Sequence, residues 1–188
     1  DNGWINRTDK SAYAPRSKQT PYEGGIRTPI MFSWPNGKLK NGTRKDVVSS
    51  IDLFPTVLAA TRARTPEALP GLNLLENLKT EKTIKRKRIF GETFAHDIAD
   101  TENPEESLIF RWTIEGKWKL LLTYDGEVNR FKTTHPREEN RPQLFNLLKD
   151  PKEENNLAGQ NPDVVSKLVA KIDNWWPVTE RKVVKNWD

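Results

Sequence analysis

The side chains best suited to chemistry stand at the start of the chain. Asp1 and Asn2 set a carboxylate beside an amide ahead of Gly3, and both offer hard oxygen donors of the kind that calcium or magnesium takes. Lys18 follows, a compact point charge on a flexible stem, suited to an anionic oxygen. The pair Gly24-Gly25 lets backbone come close to another group or adopt positive φ. Together these residues describe half of a cradle for a hard cation and an oxyanion. Calcium takes roughly six to eight oxygens, so two ligands leave most of the shell to be supplied from elsewhere, and on pattern alone Asp-Asn-Gly also reads as a plain turn. Glu23 and Arg27 flank the glycine pair and are expected to form an ion pair that pins the loop. His96 and His135 are the two histidines. His96 follows an expected strand, where it either faces a ligand or serves as a hydrogen-bonded loop residue; His135, beside Pro136, reads as surface.

These residues need elements to hold them. Residues 1–29 are polar and turn-rich, with Pro15, Pro21 and the glycine pair, and read as an ordered loop. The apolar run 29–34, closed by Pro35-Asn36-Gly37, predicts a buried strand and a turn. Ser49 or Ser50 is placed to cap a helix in which Ile51, Phe54 and Leu58 form one stripe beside Leu53 and Val57, and this face is expected to pack on a sheet. Pro55 falls near its first turn, where a missing N–H costs least. A short helical or turn piece is expected over 72–78. The basic run Lys82 to Arg88 reads as a solvated lead-in to a strand at 89–94. Residues 108–114 and 118–124 enclose Glu115-Gly116-Lys117, the pattern of a β-hairpin, and 144–147 reads as a further strand. Asn161-Pro162 predicts a capped start to an amphipathic helix over 162–176, in which Val164, Val165, Leu168, Val169, Ile172, Trp175 and Trp176 recur at helical spacing.

The balance of 31 basic to 26 acidic residues gives a net charge of +5. A basic surface suits nucleic acid, anionic membrane or an acidic polysaccharide, and the sign alone does not choose among them. With no cysteine, a disulfide, a thiolate metal site and a cysteine nucleophile are all excluded from these residues. No apolar run approaches the ~18 residues of a membrane span. Hydrophobic residues make up 35% and mean hydropathy is −0.80, which is thin for a single packed core, whereas seven Trp and seven Phe in patterned segments argue against disorder. A folded piece of something larger is expected, with part of its core elsewhere.

The run Lys18-Gln19-Thr20-Pro21-Tyr22-Glu23-Gly24-Gly25-Ile26-Arg27-Thr28-Pro29 resembles the lysine and "Thr-x-Tyr-Glu-Gly-Gly-x-Arg-x-Pro" signature of the sulfatase family. Ser33-Trp34-Pro35, Ser50 to Thr56, Pro70 to Leu75, Trp112 to Leu120 and Leu144 to Leu157 are similar, in order, to segments that follow it, so the resemblance covers most of the chain. It implies the C-terminal portion of an arylsulfatase-like member of the alkaline phosphatase superfamily. The fold implied is α/β, the incomplete remainder of the large catalytic domain over 1–80, followed by a small α+β subdomain over 81–188 with an antiparallel sheet and the terminal helix. It further implies that Asp1 and Asn2 are two ligands of a single divalent cation, usually Ca2+, and that Lys18 contacts a sulfate oxygen, with His96 a candidate contact to substrate or leaving group. The family's nucleophile is a hydrated formylglycine made within a "Cys/Ser-x-Pro-x-Arg" motif, which these residues do not contain. The N-terminal half of the same protein is therefore the expected partner, a sulfated small molecule or glycan the expected substrate, and a periplasmic, extracellular or lysosomal setting the one implied. Without that half, hydrolysis by this chain is not expected. A non-catalytic basic module binding anionic polysaccharide is the alternative, and nucleic acid is not expected as a partner. A two-zinc phosphatase or phosphodiesterase of the same superfamily would need more histidines than His96 and His135.

Overall fold

The structure, a computed structural model, describes residues 6–11, 13–80, 82–94, 100–124 and 141–178. Two compact units are present: the described residues of Asp1–Thr28 together with those of Arg88–Asp188, and Pro29–Lys87.

Within the first unit, a single helical turn, α1 (Glu23–Ile26), follows the opening loop. In Pro29–Lys87, α2 (Leu53–Thr61) continues a short 3-10 segment, Ser50–Asp52, and α3 (Leu75–Thr80) closes the segment. The expected cap is present: Ser49 and Asp52 form a capping box, with the Asp52 carboxylate accepting the Ser49 N–H at 2.9 Å. Asp52 is fully buried and also accepts the Leu72 N–H at 2.7 Å and the Arg86 guanidinium, so one carboxylate ties helix start, following loop and basic run together. Thr56 extends the tie by accepting the Leu74 N–H at 3.0 Å.

Two expectations fail in this unit. Residues 29–34 form no strand, and Met31 is 87% exposed. An extended segment becomes a strand only when a neighbour takes up its N–H and C=O groups, and none does so here among the described residues. The apolar stripe of α2 also lacks the packing expected of it, since Phe54 is 56% and Val57 53% exposed, with Ile51 and Leu53 exposed beside them.

The sheet of the first unit runs in the simple order β1 (Arg88–Phe94), β2 (Leu108–Glu115), β3 (Trp118–Thr123), β4 (Gln143–Asn146), every pair antiparallel. The hairpin forms as its sequence predicts: Glu115 pairs with Trp118 across Gly116-Lys117, and Gly116 takes the positive φ, 60°, that a tight loop between twisted strands demands. Because side chains alternate across a strand, the register assigns two faces. Phe90, Trp118, Leu120, Leu122 and Leu144 fall on one face, covered by α4 (Pro162–Trp175) through Val164, Val165, Leu168, Val169 and Ile172. Ile89, Trp112, Ile114, Leu121 and Phe145 fall on the other, covered by Tyr22 and Ile26.

The helix begins where Pro162 predicts, with Asn161 at the N-cap position. The side chain of Asn161 does not cap, however: its amide donates to the Leu157 carbonyl, and only its backbone carbonyl enters the helix ladder. At the other end, Arg111 of β2 is buried and closes the helix. Its guanidinium donates to the carbonyls of Ile172 and Trp176 and to the Asp173 carboxylate at 2.7 Å, while Nε donates to the Tyr124 hydroxyl at 2.6 Å. A cation on the last-turn carbonyls complements the helix dipole. Trp175 stacks flat on Phe90 with centroids 5.0 Å apart.

Candidate functional site

The Lys18 turn is built from close backbone packing. Arg16 and Gln19 take positive φ, 57° and 69°, folding the chain back on itself. The Thr20 hydroxyl donates to the Ser17 carbonyl at 2.6 Å, and the Ser17 hydroxyl to the Ala14 carbonyl at 2.6 Å. The glycine pair is required by proximity: a Cβ on Gly25 would lie 2.2 Å from the Thr20 carbonyl oxygen, and one on Gly24 would lie 2.5 Å from that of Arg16. The expected close approach is therefore internal to the loop. The absence of these two Cβ atoms lets the helical turn Glu23–Ile26 pack against those carbonyls.

From this turn Lys18 projects with its ammonium 5.6 Å from the centre of the Tyr13 ring. Asp1, Asn2 and His96 lie outside the described residues, as does His135. Among the described residues, no group of three or more His, Asp or Glu is arranged to hold a metal ion.

What anchors the turn was not apparent from the sequence. Tyr22 is buried against Ile89, Trp112, Leu121 and Phe145, meets the Phe145 ring edge-on at 6.1 Å, and donates its hydroxyl to Gln143 Oε1 at 2.9 Å. Arg16 lies over the Tyr22 ring at 5.1 Å and donates to the Glu153 carbonyl. Glu23 does not pair with Arg27, which is exposed; its carboxylate instead takes the Lys119 ammonium at 3.0 Å. That ammonium also meets Glu153 at 2.8 Å, and Glu153 accepts the Glu23 backbone N–H.

Lys119 is 0% and Glu153 1% exposed, so this is a buried carboxylate–ammonium–carboxylate bridge. Burial pushes the Glu153 carboxyl above its ordinary value, opposed by the Lys119 charge and by the hydrogen bonds it receives. The only advance signal was Lys119 itself, a charge inside Trp118-Lys119-Leu120-Leu121-Leu122, on the face it shares with Leu121. Its partners, Glu23 96 positions earlier and Glu153 beyond β4, lie outside the reach of local pattern.

The basic run resolves into internal contacts: Arg86 bonds Asp52, and Arg88 meets Glu115 at 3.0 Å. A lead-in to β1 is what these residues form.

Comparison with known proteins adds to this geometry. Residues 16–176 match the family model described as N-sulphoglucosamine sulphohydrolase, C-terminal. An N-acetylgalactosamine-6-O-sulfatase of Bacteroides thetaiotaomicron is 30% identical over 160 residues, spanning 84% of this chain and 29% of that protein. Human arylsulfatase A is 30% identical over 165 residues, spanning 80% of this chain and 31% of its own length. A solved Bacteroides thetaiotaomicron structure, from work on the metabolism of multiple glycosaminoglycans, superposes with a TM-score of 0.66 at 25% identity, covering 86% of this chain and 31% of that one. The chain thus spans less than a third of these relatives. The signature turn, the four-stranded meander and the terminal helix all lie within the matched residues, and on that match the chain belongs to the sulfatase family, aligning with the C-terminal part of its members.

Proposed function

We propose that this chain is the C-terminal portion of a sulfuric ester hydrolase that acts on sulfated carbohydrate. The observation that carries the reading is the Lys18 turn, whose backbone is fixed by the glycine pair and by Tyr22 and whose Lys18 ammonium lies over the Tyr13 ring. The named activities of the relatives, a 6-O-sulfatase of N-acetylgalactosamine among them, supply the substrate class.

In this reading Lys18 contacts a sulfate oxygen and offsets the negative charge that grows as the S–O bond to the leaving group breaks. Asp1 and Asn2 have the hard oxygen donors that fit a calcium ion, which when bound would neutralise sulfate charge. The attacking group is a hydrated formylglycine contributed by an N-terminal portion, which also completes the cation shell. That portion covers the exposed apolar side chains of Ile51, Leu53, Phe54 and Val57. Displacement at sulfur needs a nucleophile held in line about 3–3.5 Å from the reacting atom, and a lysine with two metal ligands supplies none. The 188-residue chain is therefore inactive by itself.

The experiment compares two proteins on an aryl sulfate: this chain alone, and the same chain in continuity with an N-terminal sulfatase portion bearing the formylglycine motif. The extended protein is expected to turn over and to lose about 10²–10³-fold in rate on K18A, as for removal of one donor to developing charge. Turnover by the purified 188-residue chain, or full activity of extended K18A, would overturn the reading.

A further inference from the structure

The bridge formed by Glu23, Lys119 and Glu153 is buried and charged, and no step in the proposed reaction uses it. Burying charges is costly unless each is paired, so a buried ammonium between two carboxylates needs a reason. Its placement gives one. Glu23 opens α1 in the Lys18 turn, Lys119 stands on β3, and Glu153 lies in the loop between β4 and α4. One ammonium thus joins the turn to two parts of the subdomain. Glu153 reaches back a second time by accepting the Glu23 N–H, and a third through its carbonyl, which Arg16 holds. The bridge grips the turn on both sides of Lys18, at Arg16 and at Glu23.

We propose that Lys119 is the positioning residue for Lys18, its ammonium locking the 16–26 turn onto the sheet in the orientation from which Lys18 meets an oxyanion. The proposal deepens the sulfatase reading and takes from it only the task of Lys18; the locking itself follows from the contacts. The charged groups that face the bridge are Glu23 on the turn, Glu153 on the loop before α4, and Arg16, while the Trp112 ring lies 5.7 Å from the Lys119 ammonium. Removing Lys119 leaves Glu23 and Glu153 without their shared cation, so their repulsion acts directly to lift the turn.

The test uses the 188-residue chain, with its lysines reductively methylated by 13C-formaldehyde and the Lys18 signal assigned through K18R. Because Lys18 lies over Tyr13, its methyl resonance carries a ring-current displacement that Y13L removes. Lys119 is wholly buried and is expected to resist the reagent under native conditions. In K119M and in E23Q the displacement is expected to fall by half or more. Amides 16–26 are expected to exchange with solvent at least tenfold faster, while amides of 108–123 stay protected. K171M, which removes the partly exposed Lys171–Glu115 pair on the other side of the sheet, is expected to change neither readout. An unchanged Lys18 signal with unchanged exchange in K119M and E23Q overturns the proposal, and so does loosening shared equally by 16–26 and 108–123. If K119M does not fold, E23Q decides, since it leaves Lys119 paired with Glu153. Failure of the sulfatase reading would show separately, in the aryl sulfate assay of the extended protein, with these signals untouched.

Discussion

Tyr22 offers the sharpest measure of how firmly the signature turn is docked, because two substitutions divide its contributions. Tyr22→Phe keeps the ring among Ile89, Trp112, Leu121 and Phe145 and removes the hydroxyl that donates to Gln143 Oε1 at 2.9 Å. Gln143 is itself buried, so its acceptor is left unsatisfied, at a cost of about 1–3 kcal/mol. Tyr22→Ala also empties the ring site, and large-to-small changes of an aromatic core residue cost about 3–5 kcal/mol. The second change also takes away the surface over which Arg16 lies at 5.1 Å. Urea unfolding followed by tryptophan fluorescence is a direct assay, since Trp112 is in the same cluster. With a urea slope of roughly 1–3 kcal/mol/M, the midpoint should fall by about 0.5–1 M for Y22F and by about 2 M for Y22A. A Y22A midpoint within about 0.3 M of the parent would refute the docking, because a side chain of that size cannot leave a packed core at so small a cost. Equal losses in the two variants would assign the energy to the hydroxyl and not to packing.

Other substitutions probe the same architecture from different sides. Gly25→Ala places a Cβ 2.2 Å from the Thr20 carbonyl and is expected to destabilise by more than about 2 kcal/mol, whereas Gly159→Ala, with no atom within 4 Å of its Cβ, should fall within about 0.5 kcal/mol; thermal unfolding of the pair checks the contrast. Glu115 and Glu153 should act in opposite directions with pH. Lys171 hydrogen-bonds Glu115 and lowers its carboxyl below the ordinary 4.5, so its stabilisation is present above that value and is lost as pH falls through the folded-state value. Burial raises Glu153 above 4.5, so its contribution is present below that value and is lost as pH rises through the folded-state value. Urea midpoints from about pH 3 to 7 should accordingly lose part of their acid-side fall in E115Q and part of their decline above about pH 4.5 in E153Q. Phe54→Ser, on the exposed stripe of α2, should change the stability of this chain by no more than about 0.5 kcal/mol while reducing its self-association in sedimentation.

What the sequence disclosed follows the range of the interactions involved. The hairpin over 108–123 and the helix from Pro162 rest on alternation, a glycine turn and a proline start, all readable within a dozen residues. The capping box at Ser49 is equally local. Asn161 misled because its side-chain amide donates back to the Leu157 carbonyl, and its Oδ1 accepts no helix N–H as a cap would. Residues 29–34 and the stripe of α2 misled differently: their apolar patterns state that something should cover them, but not what. The bridge at Lys119 and the Tyr22–Gln143 bond were illegible, since each joins residues far apart in the chain and requires the sheet register first. Glu23 does pin the turn, but through Lys119, which the register delivers, and not through Arg27, its neighbour in sequence.

The division of labour within the signature run follows from these contacts. Gly24 and Gly25 allow the turn to close on Arg16, Ser17 and Thr20; Tyr22 and Glu23 fasten it to the sheet. Lys18 stands within the run they fix, its ammonium over the Tyr13 ring. Ordering one backbone residue costs about 1–2 kcal/mol, so a turn of this length held in place only by its ligand would draw heavily on binding energy. Here the ordering of the turn is completed on folding, by a buried ring, a buried ion bridge and the Arg16 contact. Binding energy that would have ordered the backbone then stays available for the charge that develops on the reacting group. On the function proposed above, the subdomain sheet, which carries none of the candidate catalytic groups among its described residues, would serve the chemistry by holding the Lys18 turn.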